Sequence, residues 1–122
     1  MYSENIKEIE SLLTNYFHGI FYGDIEKLET CFHENAFLYG DIKGVAYLKS
    51  IKEYIEGVKN RQSPATLNEA FKMETIGVDI IGKIAMAKLH VPMLGYNYYD
   101  YLSLAKINNE WKIVNKLFTH VK

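Results

Sequence analysis

Residues 98–120 read YYDYLSLAKINNEWKIVNKLFTH, two runs of alternating residue types joined at Asn108-Asn109. A period of two is the mark of a strand, and a short asparagine loop between two such runs is the mark of a β-hairpin. This stretch constrains the fold most, because its register decides which side chains can meet a core. Charge selects a register. With a loop of residues 107–109 and Asn109 left-handed, Lys106 lies opposite Glu110 and Asp100 opposite Lys116, on one face with Lys112. The other, inner face then carries Tyr99, Tyr101, Ser103 and Ala105 beside Trp111, Ile113, Asn115 and Leu117. A two-residue Asn-Asn loop would set Lys106 beside Trp111 on the covered face, which is the poorer arrangement.

The upstream chain reads as elements that pack against this hairpin. Ile6, Ile9, Leu12, Leu13, Tyr16, Phe17, Ile20 and Phe21 recur at spacings of three and four, which predicts an amphipathic helix over residues 4–22 with Ser3 as N-cap and Gly23 as stop. Asp24 caps a second helix with Ile25, Leu28 and Phe32 inward, followed by a short strand over residues 37–39 and turn signals at Gly40-Asp41 and Lys43-Gly44. Ser50 and Glu53 form a capping box for a third helix to about Asn60, with Ile51, Tyr54, Ile55 and Val58 as its buried stripe. Residues 61–64 end it, because a residue before proline disfavours helix.

From residue 70 the period becomes two, with an apolar phase slip at Gly77 that predicts a β-bulge. Gly82-Lys83 is a two-residue loop, residues 84–93 form a long strand, and a turn at residues 95–97 leads into the hairpin. Carrying the face assignment across that turn puts Ala85, Ala87, Leu89, Val91 and Met93 inside and Lys88 and His90 outside. The result is a single α+β domain spanning residues 1–122, three helices interleaved with one strand and then four antiparallel strands.

Composition narrows the function. A net charge of −1, with acids and bases mixed and no basic stripe, argues against a nucleic-acid partner. No apolar run approaches a membrane span and the N-terminal stretch is polar, so no membrane association and a cytoplasmic location are expected. The single cysteine, Cys31, reads as inert packing. His18, His33, His90 and His120 show no ligand spacing and no glycine-rich phosphate loop opens a helix, so neither a metal nor a cofactor is expected. Ten tyrosines suit a bent sheet around a cavity, since each brings a hydroxyl that needs a partner when buried.

Three pieces carry a family resemblance: Phe32-His33-Glu34-Asn35-Ala36, Asp100-Tyr101-Leu102-Ser103-Leu104, and Trp111 to Lys116 with Phe118; Ser63-Pro64 also fits. With them the chain resembles the nuclear transport factor 2-like superfamily, most closely the bacterial family called putative lumazine-binding, and SnoaL-like proteins more distantly. The resemblance implies a cone-shaped fold, a strongly bent and mostly antiparallel sheet with three helices on its concave face. It also implies a pocket at the wide end and a dimer through the outer sheet face. On the face assignment above, that outer patch is Ile84, Met86, Leu102, Leu104, Val114 and Phe118, rimmed by lysines and larger than a monomer should expose.

The same assignment lines the pocket with Tyr16, Tyr99, Tyr101, Ser103 and Asn115, hydroxyls and an amide suited to orienting a small apolar or aromatic ligand. It leaves no general base inside, because Asp100 points outward to Lys116. The expectation is therefore a ligand-binding, non-enzymatic homodimer. The alternative is a small isomerase, cyclase or dehydratase on a polycyclic or polyketide-like substrate, with His33 or Asp100 as base, which requires one of them inside the pocket with a perturbed pKa.

Overall fold

The computed structural model describes residues 2–122. Helix α1 (Tyr2–Tyr22) begins two residues earlier than expected, so Ser3 lies inside it; Gly23 stops it at φ 68°. Helix α2 (Ile25–Cys31) is capped by Asp24, whose carboxylate accepts the Lys27 N–H at 3.1 Å. Strand β1 (Phe32–Ile42) is far longer than the three residues read from the sequence, and Lys43-Gly44 folds it back into β2 (Val45–Ser50), a strand the sequence reading missed. Helix α3 (Ile51–Lys59) carries the full Ser50–Glu53 capping box. Strands β3 (Glu74–Ile81), β4 (Ile84–Met93), β5 (Tyr96–Ile107) and β6 (Glu110–His120) follow.

The six strands form one mixed, curved sheet in the order β2-β1-β6-β5-β4-β3, antiparallel except where β1 runs parallel to β6. The three helices pack on one face of it. Ile9, Leu13, Tyr16 and Ile20 of α1, Leu28 of α2 and Tyr54, Ile55 and Val58 of α3 meet Ala87, Leu89, Leu102, Leu104 and Ile113 in one core. The expected bulge sits in β3 between Thr75 and Gly77, and Gly82-Lys83 closes the β3–β4 loop.

The faces of β4 are as expected, with Ala85, Ala87, Leu89, Val91 and Met93 buried. Those of β5 are inverted. Met93 pairs directly with Tyr96, so the β4–β5 loop is the two residues Leu94-Gly95 (φ 53° and 80°) and not residues 95–97. Residues directly opposite share a face, and a one-residue change of loop length turns every side chain of the strand over. Leu102 and Leu104 therefore face the core, while Tyr99, Tyr101, Ser103 and Ala105 lie on the open face.

The hairpin also takes the loop that the charge pattern disfavoured. Asn108 and Asn109 both have positive φ (50° and 68°), and Lys106 stands opposite Trp111. The objection to this pairing is met from outside the hairpin: the Asn5 side-chain oxygen of α1 accepts from both Lys106 Nζ and Trp111 Nε1 at 3.2 Å, and Glu8 lies 3.6 Å from Lys106. A bulge at Val114 then shifts the phase of β6, because Ile113 pairs with Leu104 but Asn115 pairs with Ser103. Beyond it Lys116 and Phe118 turn to the covered face, opposite Leu102 and Asp100, and Asn115 and Leu117 to the open one.

Candidate functional site

The inversion of β5 brings Asp100 inside, opposite Leu89 on β4 and Phe118 on β6. It is 2 % exposed, in a setting where an uncompensated carboxylate would be strongly destabilising. Compensation comes from three elements. Tyr16, in the middle of the α1 apolar face, donates its hydroxyl to Asp100 Oδ2 at 2.6 Å. Lys116 of β6, also buried, places Nζ 3.9 Å from the same oxygen and donates to the Tyr54 hydroxyl of α3 at 3.2 Å. The ammonium also sits over aromatic faces, 4.6 Å from the Tyr54 ring centroid, 5.1 Å from Phe118 and 5.3 Å from Tyr16. Phe32 bridges the two tyrosine rings at 6.0 Å from each.

Burial pushes the Asp100 carboxyl above its ordinary range, while the Lys116 ammonium and the Tyr16 hydrogen bond pull it back. Burial likewise holds the Tyr16 phenol well above its usual value, reinforced by the negative charge of Asp100. Tyr16 is therefore a fixed donor at neutral pH.

Asp100 and Lys116 form the floor of a half-open chamber of about 60 Å³, whose walls are Ile42, Tyr47, Tyr54, Val91, Met93, Tyr98 and Phe118, with Arg61 beside them. That is room for a few water molecules. Arg61 follows α3, and its Nε and Nη2 are buried with no hydrogen-bond partner among the described residues. None of the side-chain ion pairs among the described residues includes it. Its charge partly offsets the burial that pushes the Tyr47 phenol up to about 12 and raises that of Tyr98.

Of the residues expected to line a pocket, Tyr16 is at the chamber floor's back, wholly buried and engaged with Asp100. Tyr99, Tyr101, Ser103 and Asn115 are on the opposite face of the sheet. Tyr99 stacks on His90 at 4.5 Å, Tyr101 is largely exposed, and Asn115 donates to the Phe37 carbonyl at 3.0 Å. His33 lies on β1 beside Phe32, Ile51 and Ile55, in a surface groove apart from the chamber, where Nδ1 accepts the Asn35 N–H at 3.1 Å. Of the outer patch, Ile84 and Met86 are exposed, whereas Leu102 and Leu104 are in the core and Phe118 lines the chamber. Cys31 is buried, with its thiol pushed up to about 11 by desolvation.

The residues that sequence reasoning passed over are Lys116, Tyr54 and above all Arg61. A signal for Arg61 was present. It is the one arginine among 14 basic residues, and a chain that otherwise uses lysine throughout places arginine where the planar fork matters. Among the described residues no helix is long and apolar enough to cross a membrane, and no three His, Cys, Asp or Glu side chains cluster as a metal site.

The sequence profile of the putative lumazine-binding family matches residues 4–119. Among solved structures, a nuclear transport factor 2-like protein of unknown function from Shewanella baltica superposes with a TM-score of 0.87 at 21 % identity, over 100 % of this chain and 98 % of that one. Counterparts of unknown function from Silicibacter pomeroyi (0.85, 22 %, 99 % of each chain) and Methylobacillus flagellatus (0.87, 21 %, 98 % and 94 %) are similar to the same degree. These likenesses show the fold. No curated protein sequence matches the chain.

Proposed function

We propose that this chain, which belongs to the putative lumazine-binding family, is a small-molecule-binding protein that holds its ligand at the wide end of the cone without transforming it. The observation that carries the reading is the polar floor of Asp100 and Lys116, tied to Tyr16 and Tyr54 and facing unfilled space between α3 and the sheet. A core that served stability alone would do as well with apolar side chains there, since replacing a buried ion pair by packed hydrophobic residues is often neutral or stabilising. A few polar groups on apolar walls are what small-molecule sites use for orientation. Asp100 already accepts from Tyr16 and faces the Lys116 charge, so it supports the floor in preference to acting as a free base. We further propose a homodimer through the open face of the sheet.

Titration with planar heteroaromatics, lumazine among them, followed by methyl shifts in NMR tests the binding reading. Shifts at Val91 and Met93, which wall the chamber, are expected, with Ile84 and Met86 on the other face unmoved. Shifts confined to Ile84 and Met86 would remove the chamber from consideration.

One observation favours a second reading, isomerase, cyclase or dehydratase chemistry. Asp100 lines the chamber with its carboxyl raised by burial, which is how a base is tuned toward neutrality. In that case turnover of a polycyclic or polyketide-like ketone is expected to vanish in Asp100→Asn, read on a variant whose melting curve shows it folded. Equal turnover in the variant removes this reading.

A further inference from the structure

We infer that the chamber is a receptor for a carboxylate, held by the side edge of Arg61. This deepens the binding reading proposed above and rests on it. Nε and Nη2 are the two guanidinium nitrogens whose N–H bonds point the same way, along one edge of the plane. Both are buried and neither has a partner among the described residues, which leave one complete edge of the chain's only arginine unanswered. Two parallel N–H donors in a plane match the two oxygens of a carboxylate in a bidentate pair. An isolated lost hydrogen bond could be a packing accident. Two unmet donors on a single edge, both charged and both closed to water, are costly to leave so, and a carboxylate in the chamber would answer them once the guanidinium turns that edge toward it.

The rest of the lining points the same way. Asp100, the chamber's acidic side chain, already takes the Tyr16 hydroxyl and faces Lys116. Tyr54 accepts from Lys116, and an ammonium cannot accept in return, so the Tyr54 hydroxyl proton is left for another acceptor. Tyr47 and Tyr98 line the same chamber close enough to Arg61 to feel its charge. Two cations thus face one carboxylate, and the free hydrogen-bonding capacity is mostly donor. Such a wall selects an acceptor-rich anion. The space of about 60 Å³ takes the oxyanion head group and no more, well under the roughly 300 Å³ at which whole-ligand sites begin. The body of the ligand lies in the mouth against Ile42, Met93 and Phe118, apolar walls suited to a flat ring. The ligand class is therefore a small aromatic or otherwise planar carboxylic acid.

The test is a calorimetric titration of the full chain with benzoate, its neutral counterpart benzamide, and inorganic phosphate. Wild type, Arg61→Gln and Arg61→Lys are compared. Benzoate is expected to bind about tenfold or more tighter than benzamide, the usual weight of a charged hydrogen bond. Arg61→Gln is expected to abolish that preference, and Arg61→Lys, which keeps the charge but not the fork, to restore little of it. Because the two buried donors have no partner among the described residues, Arg61→Gln is also expected to leave the melting temperature unchanged or raised. A lowered melting temperature with benzoate affinity intact would make Arg61 structural and overturn the inference. Equal affinity for benzoate and benzamide would overturn it while leaving the binding reading in place, and so would a preference for phosphate over benzoate. If none of the three binds, the carboxylate inference falls; if planar heteroaromatics also leave Val91 and Met93 unmoved, the binding reading falls with it.

Discussion

Lys116 and Asp100 are each close to fully buried, and neither could stay so alone. Removing one partner of such a pair leaves an uncompensated charge in the core, which costs about 3–5 kcal/mol, whereas removing both leaves only a packing problem. Asp100→Ala is therefore expected to be severely destabilising in urea unfolding, and the double variant Asp100→Leu with Lys116→Met to recover most of the loss. Additive losses would mean that the two do not interact. Tyr16 makes a different prediction, in pH. Its folded pKa lies above the unfolded value of 10.0, so between the two the folded chain binds the extra proton. Stability then falls as pH rises above about 10, because the unfolded state binds fewer protons there. Tyr16→Phe removes this contribution, so thermal unfolding followed from pH 8 to 11 is expected to fall less steeply in the variant. Parallel profiles would show that the phenol is not held in its protonated form.

Between elements, contact distance decides. A Cβ on Gly19 would come 2.8 Å from Leu28 Cβ and 3.0 Å from its Cα, so α1 and α2 can approach only because position 19 has no side chain. Gly57 in α3 has nothing within 4 Å and is exposed. Gly19→Ala is expected to cost about 1–3 kcal/mol by overpacking, and Gly57→Ala to gain about 0.5–1 kcal/mol through helix propensity. Melting curves of the two should shift in opposite directions, and a shift of the same sign would refute the close-approach account. The same scale explains what could be read from sequence. The capping box at Ser50, the stop at Gly23 and the loop at Gly82 are local, each announced by the residues that build it, and they were legible. The β4–β5 turn was not. Leu94 is no turn former, yet it sits at φ 53° because the Glu69 carboxylate, 25 residues away, takes its N–H at 3.0 and 3.1 Å. The hairpin loop likewise depends on Asn5, more than 100 residues upstream. Cross-strand charge pairing was half a guide to partners and a poor guide to side: Asp100 and Lys116 do meet, but diagonally and inside, whereas Lys106 stands opposite Trp111 and turns to Glu8, and Glu110 turns to Lys112. One turn and one bulge set by distant residues were enough to exchange the two faces. Tyr99, Tyr101, Ser103 and Asn115 accordingly went to the open face, Tyr16 stayed inside and Asp100 joined it, while Arg61 was read only as the end of a helix.

At the scale of the molecule, the open face of the sheet is an unpartnered surface. With β5 turned over, its apolar content includes Phe37, Tyr39, Ile84, Met86, Tyr101 and Leu117, all at least 43 % exposed, in place of the buried Leu102 and Leu104. Tyr39, Tyr99, Tyr101 and Leu117 line an open groove of about 610 Å³ with Asp41 and Lys88 among its borders. Monomers rarely leave so continuous an apolar surface to water. The occupant proposed above is a second copy: a two-fold axis across the groove would bring Lys88 of one chain toward Asp41 of the other while the aromatic rows meet. Sedimentation at micromolar concentration is then expected to show a species of twice 14.2 kDa. Tyr101→Glu, which plants an unpaired charge in the centre of the contact, is expected to give a monomer. The chamber opens on the far side of the sheet and draws every wall from one chain, so that monomer should bind chamber ligands with affinity unchanged. A wild-type monomer under these conditions rules the dimer out. Loss of chamber binding in the Tyr101→Glu monomer would mean instead that pairing of the open faces holds the sheet in the curvature the chamber needs, and the independence of the two faces would have to be given up.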